Sequence, residues 1–92
     1  MENTPGLGAL IQCLSTLSNE PTPAEELSRW KQIKLIAENY VSDYPSYEGT
    51  IVAPLSACIY YSHFIAIVPD HKDAWTNIAI IADFEVGRLE SA

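Results

Sequence analysis

Positive charge is scarce in this sequence. Five lysines and arginines stand against twelve acids, a formal net charge of −7. Nucleic acid is bound through clustered Lys and Arg, so it is not an expected ligand. An anionic membrane surface would be repelled as well. Cysteine is also scarce. Cys13 and Cys58 are the only two, too few for a disulfide framework. Each sits among apolar residues, as a buried reduced thiol does; an oxidising compartment would allow one bridge. There are two histidines, His63 and His71. A metal site needs three or four converging ligands, and the acids beside His71, Asp70 and Asp73, are explained by helix capping. Cys58 and His63 stand five apart, on different parts of a helix, so no thiolate–histidine pair forms. A Gly-rich phosphate loop is missing, because "PGLG" lacks both a lysine and a preceding strand. We therefore expect no enzyme, no cofactor and no metal. No run approaches the roughly 18 apolar residues of a membrane span. The opening "MENTPGLGALIQCLSTLSNE" has no basic segment of the secretory kind. A cytoplasmic protein is the expectation.

Apolar residues are plentiful: 48% of the 92 residues, the upper end for a soluble domain. A chain this short makes one domain, residues 1–92, and buries only about 60–65% of its unfolded surface. Apolar surface left over on so small a body points to a partner or to a second copy of itself.

The pattern is helical throughout. Leu7, Leu10, Ile11, Leu14 and Leu17 form one stripe at three- and four-residue spacing, ended by "SNEPTP". "TPAEE" is a helix start: Thr22 caps, Pro23 takes the first position, and Glu25 completes a capping box. Leu27, Trp30, Ile33, Ala37, Tyr40, Val41 and Tyr44 follow one face, and Pro45 closes the segment. A third helix is expected from Pro54 to Val68, because Pro54 would interrupt a central strand but suits a helix start. Ile59, Ala66 and Ile67 broaden its apolar surface, which makes it the expected central and most buried helix. After Pro69, Asp70 is the expected cap of a fourth helix. There Ala74, Trp75, Ile78, Ala79, Ile81, Ala82, Val86 and Leu89 cover one side, while Ile80 and Phe84 project from the other. A terminal helix packed on one neighbour needs one apolar face, so the second flank is the expected interface. The five tyrosines Tyr40, Tyr44, Tyr47, Tyr60 and Tyr61 fall around one helix–loop–helix junction, and aromatics with a polar tip favour interfaces.

From Ala57 onward the chain resembles tetratricopeptide repeats, 34-residue helix pairs with small and aromatic residues at fixed offsets. Ala57 and Tyr61 match the small and aromatic positions of a second helix, and Pro69 its terminal proline. Trp75, Ile78 and Ala79 match the start of the next first helix, and Gly87 and Leu89 the turn after it. Phe64 and Ala82 depart from the pattern, the segment from Trp75 to Gly87 is one residue too long, and Pro45 interrupts the helix that should precede Ala57. The resemblance implies a protein-binding helical array whose last helix acts as a cap. Small acidic co-chaperones of type III secretion, which are virulence-associated and hold a secreted subunit's amphipathic helix in a groove, are of this kind. "AEELSRW", "YPSYEG" and "IYY" are similar, with different spacings, to the nuclease-colicin immunity proteins.

The expected fold is all-α, four helices as two antiparallel hairpins, tetratricopeptide-like at the C-terminal end. The expected function is that of an adaptor or small chaperone binding another protein through Trp75, Ile80, Phe84 and Tyr61, with Tyr44 and Tyr47 at the rim. One alternative is an acidic inhibitor that masks a basic site on a nuclease or defence enzyme, using Glu25, Glu26, Asp43 and Glu48. The other is a structural homodimer.

Overall fold

The computed structural model describes residues 5–92. Four helices follow one another: α1 (Pro5–Leu17), α2 (Pro23–Ala37), α3 (Pro54–Ile67) and α4 (Lys72–Ser91). The described residues contain no strand. The fold is the all-α, four-helix arrangement that the periodicity implies.

Local chemistry sets most of the boundaries. The capping box at α2 forms as expected: the Glu25 amide donates to Thr22 Oγ1 at 3.1 Å, and the Thr22 amide donates to Glu25 Oε1 at 2.9 Å. Pro23 and Pro54 occupy first-turn positions, where a missing N–H costs nothing. The cap of α4 differs from expectation. His71 takes the position, its Nδ1 accepting from the Ala74 amide at 3.1 Å; Asp70 lies one residue too early. The end of α2 differs too. Its apolar stripe runs on to Tyr44, yet the helix stops at Ala37 and tight turns follow, with the Asn39 and Tyr40 amides donating three residues back. Those turns swing the Tyr40 ring flat onto Trp75, centroids 4.2 Å apart and planes 2° from parallel. Gly6 of α1 lies against the same Tyr40 ring. A Cβ there would sit 2.6 Å from a ring carbon, so only glycine permits this approach.

The helices pack in the cyclic order α1, α2, α4, α3, with α1/α4 and α2/α3 on the diagonals. Named contacts give their directions. Residues 26 and 34 of α2, and residue 40 just beyond its end, meet residues 88, 83 and 75 of α4, so these helices are antiparallel. The short connections 18–22 and 68–71 make α1/α2 and α3/α4 hairpins. Helices α2 and α3 are diagonal and point the same way. The connection 38–53 must therefore travel back along the bundle, and it does so as a strap over α4, where the Tyr47 ring meets Phe84 edge-on at 5.9 Å.

One core unites the four helices. Trp30, Trp75, Leu10, Ile33, Ile65 and Ile78 are its largest enclosed side chains. The most buried helix is α4, not α3. Ala74, Trp75, Ile78, Ala79, Ile81, Ala82, Glu85 and Val86 of α4 are all buried, whereas α3 buries only Cys58, Ser62 and Ile65. The reason is coverage. Two helices and the strap lie on α4, while α3 has α4 and α1 on one side and no further helix of the described residues on the other.

Candidate docking surface

The outer side of α3 is where the molecule leaves apolar side chains open. Residues 59, 60, 63, 64, 66 and 67 all face outward on this helix. Ile67 is 80% exposed and Tyr60 57%. Tyr60, Phe64 and Ile67 stand four and three residues apart and so share one face. Val52 and Val68, just beyond the two ends of the helix, are exposed as well. Contiguous apolar patches of this kind mark interaction sites on soluble proteins.

Aromatic edges organise the C-terminal half of this face. The Tyr60 ring meets Tyr61 at 5.4 Å and Phe64 at 5.1 Å, both edge-on. Phe64 leans on the His71 ring at 5.6 Å. That ring is fixed because its Nδ1 caps α4. Together with Asp73 and Ala74 these rings line a depression of about 270 Å³ where α3 meets the start of α4. Rings held edge-to-face present a rigid wall, so a docking side chain orders little when it arrives.

The residues singled out by the sequence do not form one surface. Trp75 has no exposed area; it is clamped by Tyr40, and its Nε1 donates to the Pro69 carbonyl at 2.9 Å. It is a core residue, which corrects the expectation of a surface anchor. Ile80 and Phe84 are half-buried on the outer flank of α4, and Tyr47 lies against Phe84. The second apolar flank of α4 is therefore partly covered by the chain's own strap. Tyr44 is half-buried, its hydroxyl donating to Glu38. Burial first, then that hydrogen bond and the charges of Glu38 and Asp83, raise the Tyr44 hydroxyl above its ordinary range. Only Tyr61 of the six reaches the α3 depression. The tyrosines thus divide into two groups, three on the strap and two on α3.

One feature escaped the sequence reading. Glu85 is 2% exposed, a carboxylate inside the core. Arg88 binds it with two hydrogen bonds, Nη2 to Oε1 at 2.6 Å and Nε to Oε2 at 3.2 Å, and reaches on to Glu26 of α2 at 3.8 Å. The hydrogen bond to Glu85 is the main reason the Arg88 guanidinium is held above its usual range. Spacing did carry a signal: Glu85 is three residues from Ala82 and four from Ile81 and Leu89, on the buried stripe. Burial and the nearby Glu85 carboxylate push the Cys58 thiol up to about 12. Burial also raises the Cys13 thiol, against the opposing charge of Arg29. Both cysteines are free and buried, so neither presents a reactive thiolate.

A larger trough, about 660 Å³, runs between α1 and α2. Its walls mix polar side chains, Gln12, Ser15, Thr16 and Gln32, with the apolar Ala9, Cys13, Leu35 and Ile36. Arg29 Nη1 donates to Gln32 Oε1 at 2.7 Å, while Arg29 Nε is buried without a partner among the described residues. One orphaned N–H in an open trough is a weaker signal than a rigid aromatic wall. The acids expected of an inhibitor are dispersed. Glu25 closes the capping box and Glu26 faces Arg88 at the start of α2, whereas Asp43 and Glu48 lie on the strap beyond the end of α2. Among the described residues no three His, Cys, Asp or Glu side chains converge. No helix among them is long and apolar enough to cross a membrane. No protein-family model, curated protein or solved structure matches the chain.

Proposed function

We propose that this chain is a protein-interaction module, an adaptor or small chaperone, that holds an apolar helix of another protein chain against the outer face of α3. The observation that carries the reading is the exposed row Tyr60, Phe64 and Ile67 beside the aromatic depression. A helix laid along α3 would place its own i, i+4 and i+7 side chains against that row. Removing apolar area from water drives such contacts at about 25 cal/mol per Å², less the cost of ordering both partners. The tetratricopeptide resemblance of the α3–α4 hairpin supports the same reading, since such hairpins present helical surfaces to other proteins. The two free thiols suit a reducing compartment such as the cytoplasm.

The test compares capture of partner protein from the native host by the unaltered chain and by Phe64→Ser, at low and at high salt. The partner should be lost with Phe64→Ser and retained at high salt, because apolar contacts are not screened. A partner that leaves at high salt but ignores the substitution would point to the acidic surface and overturn the reading.

A further inference from the structure

We infer that the depression between α3 and α4 receives the ammonium group of a lysine on the partner helix. The inference rests on the reading of α3 as a docking surface and names one side chain that the partner brings to it.

The walls are the first argument. Tyr60, Tyr61 and Phe64 of α3 enclose the depression together with His71, Asp73 and Ala74 at the start of α4. The face of an aromatic ring is the negative side of its quadrupole and attracts a cation at close range. These rings are inclined rather than parallel: 68° between Tyr60 and Tyr61, 75° between Tyr60 and Phe64, and 54° between Phe64 and His71. Parallel rings would make a slot for a flat guanidinium. Inclined rings make adjoining walls, which suit the compact ammonium of lysine.

Charge is the second argument. Among the described residues Asp73 alone brings a formal charge to the lining; the neighbouring Lys72 does not line it. The His71 ring adds no positive charge, because its Nδ1 accepts from the Ala74 amide, and an imidazolium nitrogen can only donate. Four ion pairs form among the described residues and none uses Asp73. Its residue is exposed, so the carboxylate is open to a partner. The negative end of α3 and the positive end of α4 meet at this junction and offset one another. The carboxylate therefore sets the sign of the site.

A lysine answers both features at once. Its methylene stem packs on the rings while its ammonium group meets Asp73. An acidic side chain would meet a like charge there. A wholly apolar one would take water from the Asp73 carboxylate and return nothing. The row Tyr60, Phe64 and Ile67 still holds the apolar face of the partner helix. High salt screens the Asp73 share alone, so that row retains the partner.

Carbon–proton NMR titration of the full chain tests the inference, with Nα-acetyl-lysine methylamide as the charged probe. Its Nε-acetylated form keeps the stem and removes the charge. The variants are Asp73→Asn and Glu48→Gln; both residues are exposed, and Glu48 stands on the strap, outside the lining. The charged probe should shift the ring resonances of Tyr60, Phe64 and His71. The neutral probe should bind at least about tenfold more weakly. Asp73→Asn should weaken the charged probe about fivefold, and Glu48→Gln should leave it unchanged. Equal binding of the two probes, no ring shift with either, or no effect of Asp73→Asn would overturn the inference. So would a loss in Glu48→Gln as large as in Asp73→Asn, which would show attraction to overall charge. The docking reading of α3 stands apart from these outcomes and fails only if Phe64→Ser still captures the partner.

Discussion

The two layers of this bundle are finished to different degrees. In the α2/α4 layer, ion pairs tie the helices together: Lys34 pairs with Asp83 at 3.0 Å, Lys31 with Glu90 at 3.1 Å, and Arg88 spans Glu85 and Glu26. Both of its helices start with side-chain caps, and the strap partly covers the outer flank of α4. The α1/α3 layer has no charge, α3 has no side-chain cap, and its apolar side chains face solvent. Exposed ion pairs contribute at most about 1 kcal/mol each, so the charged layer is not rigid because of them. What separates the layers is coverage by other parts of the chain. A protein with a small margin of stability that leaves such a face open does so at a cost in solubility.

Substitutions in the two layers should separate stability from association. The largest loss is expected at Trp75, which is fully enclosed and stacked on Tyr40. Trp75→Ala should cost about 4 kcal/mol in denaturant unfolding; a loss under about 1 kcal/mol would show that the ring is not the keystone of the covered layer. Next comes Arg88→Ala, which leaves the Glu85 carboxylate buried without its partner. A loss of about 3 kcal/mol is expected, largely recovered by adding Glu85→Gln. Replacing both Ile80 and Phe84 by Ser should cost about 2 kcal/mol, because the strap half-covers them. Association should be unchanged in that double variant. If association is lost while stability is kept, the strapped flank of α4 is the docking surface and the comparison is inverted.

A smaller effect is expected on the alkaline side. The Cys58 thiol titrates at about 12 in the folded chain against an ordinary value of 9.0. Between those values the unfolded chain has lost this proton and the native chain keeps it. The native state then binds more protons, and stability falls as pH rises. Cys58 should contribute about 1 kcal/mol per pH unit to that slope. Unfolding curves of Cys58→Ala should be flatter by this amount over the window; an unchanged slope would remove the buried thiol from the account.

Much of the fold could be read from spacing. The starts of α2 and α3 follow from Thr22, Pro23, Glu25 and Pro54, whose chemistry acts within one turn. The open face of α3 could not be read in the same way. A segment rich in apolar residues on all sides ordinarily marks a buried helix, and α3 was expected in the centre for that reason. Hydrophobicity states what a residue prefers, while burial depends on which other segment arrives to cover it. The same gap accounts for Trp75. An aromatic on a crowded helix reads equally as core or interface until the partner ring, here Tyr40, is placed. Glu85 was overlooked because a carboxylate at a core position makes sense only once Arg88 is seen to wrap around it.

The sequence by itself determined the helices, their order and the confinement of helical charge to α2 and α4, because capping, periodicity and charge are local properties written along the chain. Tertiary structure decided which apolar flank remained open. Helices α2 and α3 point the same way on a diagonal, so the 38–53 connection must run back over the bundle. It crosses α4 rather than α3, and that path leaves α3 to face solvent.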